Sequence, residues 1–261
     1  MEKVGIIGAG KIGGSLLLRL AESGGFDLGV SDIHPEQLRV FEDVGVRTTS
    51  SNRELAGWSD LVIVAVKPWD VPHVMQEMSP AFEGTEKAVA SVAAGVSIAR
   101  ISENLPEGTA VLRVMPNVCA SVGLGSAVVT ANEAGRATLP IVINIFRHVG
   151  DVLELPERLF DAATALHGSG PAYVALFADA LIQAGVREGI PRDVARRLVI
   201  GTIGGTAVLL KERSAHQVRD EVMTPGGTTA AAFVAMEKAG FVAAVYDGVK
   251  AATEQARGLG G

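Results

Sequence analysis

Apolar and polar positions along this chain fall into two regimes. Up to about residue 155, short apolar runs alternate with amphipathic stretches of helical period. Val4 to Ile7, Phe26 to Ser31, Val46 to Thr48, Leu61 to Val66, Ala88 to Ala93, Ala110 to Met115, Ser126 to Val129 and Val152 to Leu155 read as strands. Runs that are apolar at every position suit a parallel sheet covered by helices on both faces. Between them, Ile12 to Ser23, Pro35 to Val44, Asn52 to Gly57, Val71 to Met78, Ile98 to Asn104 (with Ser97 as its N-cap) and Thr138 to His148 read as helices. The alternation predicts a doubly wound α/β domain with a parallel sheet over residues 1–155.

From Pro156 the strand runs stop. Leu159 to Leu166, Pro171 to Glu188, Pro191 to Glu212, Thr228 to Lys238 and Phe241 to Arg257 read as helices, which predicts an all-α domain over 156–261. Pro171 and Pro191 sit where first-turn prolines belong. The helix after Pro191 is apolar over much of its circumference (Leu198, Val199, Ile200, Ile203, Val208, Leu209, Leu210) and carries Gly201, Gly204 and Gly205. A helix apolar nearly all round has to be buried. One hundred residues of helix cannot cover it alone, so a partner chain is expected to, and this domain is predicted to dimerise.

Composition narrows the picture. The 261 residues are 48% hydrophobic and carry a net charge of −6 without any Lys/Arg run, so a nucleic-acid partner is not expected. No apolar stretch reaches the roughly eighteen residues a membrane helix needs. The only cysteine is Cys119, which rules out an internal disulfide. The first apolar run is too short for a signal peptide and leads straight into a glycine turn, so the chain reads as cytoplasmic. No metal site is expected.

The candidate chemistry begins at that turn. Gly8, Ala9, Gly10, Lys11, Ile12 and Gly13 form G-x-G-x-x-G between a strand and a helix. In that context the glycines let the backbone approach a pyrophosphate, and the helix N-terminus supplies N–H groups and a partial positive charge. Asp32 ends the second strand. An acid there binds both adenosine ribose hydroxyls and repels a 2′-phosphate; Ile33 and His34 follow it, with no Arg, which favours NADH over NADPH. The alternative is that Asp32 caps the helix starting near Pro35. Lys67 and Pro68 end the fourth strand beside the expected cofactor ribose, and Ala94-Gly95 is small enough for a flat ring to approach. In the second half, His167-Gly168-Ser169-Gly170-Pro171 and Thr224-Pro225-Gly226-Gly227-Thr228-Thr229 are glycine-rich turns. The latter opens a helix and presents N–H donors to an anion such as a carboxylate.

Together these segments resemble the pyrroline-5-carboxylate reductases, which make proline. The likeness rests on Gly8-Ala9-Gly10-x-x-Gly13, Ala65-Val66-Lys67-Pro68, Ala93-Ala94-Gly95-Val96, Arg113-Val114-Met115-Pro116-Asn117, Gly168 to Tyr173 and Thr224 to Thr229, in family order from end to end. The resemblance implies a Rossmann domain followed by a helical domain that interlocks into a homodimer, often further assembled into a decamer. It implies NAD(P)H contacts from Gly8 to Gly13, Asn52, Ala65, Val66, Lys67, Pro68, Ala93 and Ala94. It implies substrate contacts from Thr224, Gly226, Gly227, Thr228 and Thr229, with Thr229 hydrogen-bonding the ring nitrogen, and places Glu157 near a substrate-side position. A cyclic imine that enters as the iminium ion needs no strong general acid, so the lack of an obvious Lys, His or Cys catalyst is consistent.

This chain departs from the family in three places. It has Pro116-Asn117-Val118-Cys119 where the family has Pro-Asn-Thr-Pro, His167 where a small residue is usual, and no His-Pro-Gly around Ser214 to Gln217. His167 reads as a new proton donor or as a loop residue with a local hydrogen bond; Cys119 reads as a packed small residue. Two other readings compete. A β-hydroxyacid dehydrogenase-like enzyme needs a Lys in the helix that here reads Pro171-Ala172-Tyr173-Val174-Ala175-Leu176, which has none. A non-catalytic NAD-binding regulator on the same fold draws its support from the departures alone.

Overall fold

The computed structural model describes residues 2–258. The described chain forms two compact units, residues 2–169 with 252–258, and Gly170–Ala251. The division falls later than the 155/156 boundary suggested by the change of pattern. Residues 156–169 stay with the first unit because Phe160 and Ala165 are buried in it.

In the first unit, eight strands among the described residues form one sheet: β1 (Glu2–Ile7), β2 (Phe26–Ser31), β3 (Arg47–Thr49), β4 (Leu61–Val64), β5 (Ala88–Ser91), β6 (Ala110–Pro116), β7 (Gly125–Ala131) and β8 (Gly150–Glu154). Their order is β3-β2-β1-β4-β5-β6-β7-β8. Successive residues of β4 explain its unbroken apolar run. Leu61 and Ile63 join a core with Leu16, Leu17 and Leu20 on one face, while Val62 and Val64 join Leu55, Met75 and Met78 on the other. The helices over these faces include α1 (Lys11–Ser23), α3 (Asn52–Trp58), α4 (Val71–Met78), α5 (Ile98–Ser102) and α6 (Leu139–Arg147).

Several expectations change. The sheet is not wholly parallel: β7 runs antiparallel to β6. Residues 117–124, coiled as a 3-10 turn at Val118–Val122, are all that join these strands. A parallel crossover takes a dozen or more residues, so the chain must reverse. The predicted helix Pro35 to Val44 is a 3-10 turn, Pro35–Gln37, and one helical turn, α2 (Arg39–Glu42). Of its side chains only Leu38 and Phe41 are buried, too little to hold a longer helix. Strands β4 and β5 stop two residues early, at Val64 and Ser91. Val64 pairs with Ile7, and beyond Ile7 the glycine turn carries β1 away. Leu159 to Leu166 resolves into a 3-10 turn, α7 (Phe160–Ala163) and a π-turn, Thr164–Gly168.

The second unit contains α8 (Gly170–Arg187), α9 (Arg192–Leu209), α10 (Ala215–Val222), α11 (Thr228–Lys238) and most of α12 (Phe241–Gly258). Pro191 caps α9 rather than sitting inside its first turn. Helix α10 was not expected, yet Ser214 and Gln217 form a capping box at its start. The S-x-x-Q pattern was the available signal. On α9, Leu198, Ile200 and Val208 are exposed, and a Cβ added at Gly201, Gly204 or Gly205 would meet nothing within 4 Å. Among the described residues no single helix is long and apolar enough to cross a membrane.

Candidate active site

The strand order reverses between β1 and β4: the chain builds outward through β2 and β3, then returns to the other side of β1. In such sheets the crevice beyond the strand C-termini at the reversal receives the ligand. Gly8 to Gly13, Asp32, Ala65 to Pro68 and Ala93-Ala94 follow the C-terminal ends of β1, β2, β4 and β5, so all lie along this edge.

Each fingerprint glycine has its own reason. Gly8 has φ +100°, and a Cβ there would lie 2.7 Å from the Ala65 carbonyl oxygen. Its N–H bonds the Ser31 carbonyl, 2.8 Å. Gly13 has no room for a side chain, since a Cβ would strike the Gly8 carbonyl oxygen. Gly10, the N-cap of α1, faces open space: nothing lies within 4 Å of a Cβ built on it. The tight turn, the close helix–strand packing and the exposed approach are the three requirements of a pyrophosphate cradle. The residues present therefore fit a dinucleotide.

Asp32 supports this turn from behind. Its Oδ2 accepts the Ala9 N–H at 2.7 Å and its Oδ1 accepts the His34 N–H at 2.9 Å. The side chain braces the cradle and its own loop rather than capping the Pro35 turn, whose N-cap His34 has no side-chain cap. Each carboxylate oxygen keeps a further lone pair for a ribose hydroxyl. Asn52, also expected at the cofactor, is 9% exposed. Its Oδ1 accepts from Ser31 Oγ at 2.7 Å and its Nδ2 donates to Glu77 at 2.7 Å. Lys67 is exposed and extended (ψ 150°) ahead of Pro68, as the proline requires.

Beyond β5, Gly95 turns with φ +76° and Ser97 caps α5 by accepting the Arg100 N–H. Glu157 reaches the same helix start: its Oε1 accepts the Ile98 N–H at 2.7 Å and Arg113 Nη1 at 3.2 Å. Arg113 is 5% exposed, has Asp161 3.8 Å away and sits 4.8 Å over the Phe160 ring. Sequence reasoning treated Arg113 only as part of a motif. The signal was available, because a charged residue inside a strand otherwise apolar from Ala110 to Met115 needs partners.

Asn117 gathers the end of β6. Its Oδ1 accepts the N–H groups of Cys119 and Ser126, and its Nδ2 donates to the His167 carbonyl. The His167 ring meets Ser126 Oγ at 3.0 Å through Nδ1, while Nε2 is buried without a hydrogen-bond partner. Burial holds the imidazole pKa below its ordinary 6.5, opposed in part by hydrogen bonding to Ser126. The folded chain thus binds the proton less readily than the unfolded one. Stability should be complete above about pH 6.5 and fall as pH drops through that value toward the folded pKa. Thermal melts between pH 7 and pH 5 test this: His167→Ser should flatten the decline, and an unchanged slope would remove His167 as its cause.

In the second unit, Gly227 N–H closes a turn onto the Thr224 carbonyl at 3.0 Å, with Gly226 at φ +69°. Gly227 is the N-cap of α11, Thr228 its first residue and Thr229 its second. A Cβ on Gly226 would meet nothing within 4 Å. The turn is an open helix N-terminus of the kind that receives a carboxylate.

The chain has relatives over its full length. The pyrroline-5-carboxylate reductase of Synechocystis sp. is 38% identical over 272 residues, covering 99% of this chain and 98% of its own length. The chain belongs to the pyrroline-5-carboxylate reductase family. A family profile described as pyrroline-5-carboxylate reductase dimerisation matches residues 157–259, and one described as NADP oxidoreductase, coenzyme F420-dependent, matches residues 3–95. Among solved structures, the reductase from Coxiella burnetii is similar with a TM-score of 0.94 at 31% identity, covering 100% of this chain and 99% of that one. The Plasmodium falciparum pyrroline carboxylate reductase with NADP bound gives 0.89 at 31%, covering 100% and 98%. The chain therefore joins an NADP-oxidoreductase-type domain to the family's dimerisation domain, and the apolar face of α9 belongs to the latter.

Proposed function

We propose that this chain reduces 1-pyrroline-5-carboxylate to L-proline, the last step of proline synthesis, with NAD(P)H and a preference for NADH. The observation that carries the reading is likeness to the family over the full chain, with Gly8 and Gly13 closely packed in the dinucleotide turn and Gly10 opening onto free space that suits a pyrophosphate. A reduced nicotinamide, when bound, supplies the hydride. The N–H groups at the start of α1 receive the pyrophosphate, and Asp32 accepts from the ribose hydroxyls. A 2′-phosphate would meet the Asp32 carboxylate, followed by Ile33 and His34 rather than Arg. Lys67-Pro68 and Ala93-Ala94 line the way to the ring. At α11, the N–H groups of Thr228 and Thr229 receive the substrate carboxylate, and the Thr229 hydroxyl accepts from the protonated ring nitrogen. The imine arrives carrying its proton, so no side chain has to deliver one.

Kinetics with both dinucleotides test the reading. Pyrroline-5-carboxylate should be turned over, with higher kcat/KM for NADH. Equal or higher kcat/KM for NADPH overturns the role given to Asp32. Dinucleotide binding without turnover overturns the reductase reading in favour of a regulator. Thr229→Ala should lower kcat/KM for the imine by about ten- to a hundredfold, the worth of one hydrogen bond to a charged group, and leave the Kd of NADH unchanged. A homodimer through α9 and the apolar groove of about 510 Å³ between α8 and α12 fits the family. Assembly of such dimers into a decamer is part of the same proposal, and sedimentation reads both. A cytoplasmic setting suits the single unpaired cysteine.

A further inference from the structure

The connection from β8 into the helical unit does more than link. It begins at Pro156 and puts Glu157 against the first residue of α5, which starts three residues after the Ala93-Ala94-Gly95 turn. One oxygen, Oε1, serves both the Ile98 N–H and Arg113 Nη1. Arg113 lies on β6 opposite Ser91, the last residue of β5. The carboxylate therefore ties the helix start after the Ala93 to Ser97 turn to Arg113 on β6, the strand that pairs with the end of β5. Ser97 already bonds the Arg100 N–H, so the two caps serve different donors and Glu157 is not redundant. Asp161, also on this connection, faces Arg113 from the other terminal nitrogen, and Phe160 closes over the guanidinium. Asp161 and Phe160 hold the guanidinium independently of Glu157.

From this geometry we infer that Glu157 is a positioning residue for hydride transfer: it fixes the Ala93 to Ser97 turn through the Ile98 N–H and does not bind substrate. This replaces the substrate-side role suggested by resemblance, and it rests on the reductase reading for its kinetic consequence. One carboxylate oxygen, Oε1, is taken up by the Ile98 N–H of its own chain at 2.7 Å and by Arg113. A small misplacement of a surface that seats a reacting ring costs rate far more than affinity.

The test uses the full-length enzyme with Glu157→Ala and Glu157→Gln. Glutamine keeps an oxygen for the Ile98 N–H; alanine does not. In Glu157→Ala, kcat should fall by about tenfold or more, while KM for the imine changes little and the deuterium isotope effect with 4-deuterated NADH grows. Glu157→Gln should recover most of the lost kcat. Amide hydrogen exchange supplies a readout that needs no turnover. Glu157→Ala should speed exchange at residues 93–98 and leave the β1 to β4 amides unchanged, and Glu157→Gln should restore protection. A rise in imine KM matching the fall in kcat would make Glu157 a substrate ligand and overturn the inference. So would faster exchange throughout the unit, which marks general destabilisation, or equal losses in both variants. If the wild type fails to reduce the imine, the functional reading falls, and the exchange pattern still decides whether Glu157 holds the turn.

Discussion

Gly13→Ala is expected to remove dinucleotide binding and to destabilise the first unit. On propensity alone, alanine would favour the helix by about 0.5–1 kcal/mol. Position decides otherwise. A Cβ at Gly13 would strike the Gly8 carbonyl oxygen and stand 3.0 Å from Ala65 Cβ and 3.2 Å from Ile6 Cγ2. The first obstacle is backbone held by two constraints, the Gly8 N–H bond to Ser31 and the Ala9 N–H bond to Asp32. The helix must lift from the sheet, and Leu16, Leu17 and Leu20, all buried, lift with it. Overpacking of this kind costs about 1–3 kcal/mol, several degrees of Tm in a unit of this size. Gly10→Ala separates the two effects. Its Cβ meets nothing within 4 Å, and its φ of −68° suits alanine. That variant should keep the wild-type Tm and lose dinucleotide affinity, because under the proposed reading the methyl enters the space of the pyrophosphate. Melts and NADH titrations of both variants check this; a Gly13→Ala protein with unaltered Tm and Kd would refute the packing argument.

Arg113→Met should cost about 2–3 kcal/mol of unfolding free energy. Removing one member of a fully buried ion pair costs about 3–5 kcal/mol, because the remaining charge stays desolvated. Here the Arg113 side chain is 6% exposed, but those of Glu157 and Asp161 are 34% and 32% exposed. Water can therefore reach part of what the arginine leaves behind, which lowers the expectation. Methionine keeps much of the volume against Phe160, so the loss reports charge rather than a cavity. Urea unfolding of Arg113→Met, Glu157→Gln and the double variant gives the coupling directly. Neutralising Glu157 in the Arg113→Met background should return part of the loss. A loss below about 1 kcal/mol would mean the pair behaves like a surface salt bridge.

The fold was legible wherever local pattern carries the information. The unbroken apolar run of β4, the Ser97 cap and the bounds of α4 and α11 all follow from neighbours within a turn of one another. So does the glycine fingerprint, whose strand–turn–helix setting is a relation among ten successive residues. The reversal at β7 was legible too, in the shortness of 117–124, but the sustained alternation of runs concealed it. Helix α9 shows a different kind of legibility. Its apolar circumference predicted burial, and the single chain leaves Leu198, Ile200 and Val208 exposed, as a segment belonging to a dimerisation domain would.

The site was legible in its backbone and less so in its side chains. Sequence placed Asp32 at the end of β2 but offered two roles; the structure adds a third, bracing the Ala9 N–H. It placed Asn52 at the start of α3 and could not foresee Ser31 and Glu77 engaging its amide. His167 was recognised as unusual, but its pairing with Ser126 joins residues 41 positions apart.

By itself, then, the sequence determined the alternation of strands and helices, the glycine turns that open α1 and α11, and which family the chain resembles. Those properties depend on backbone freedom, capping and periodicity, which act over a few residues. Only the tertiary structure decided which buried polar groups meet. Glu157 stands 59 residues from Ile98 and 44 from Arg113, and no periodicity links them. Their meeting follows from β5 and β6 lying side by side and from the chain returning over them, and burial of the Arg113 charge then demands the partners it finds.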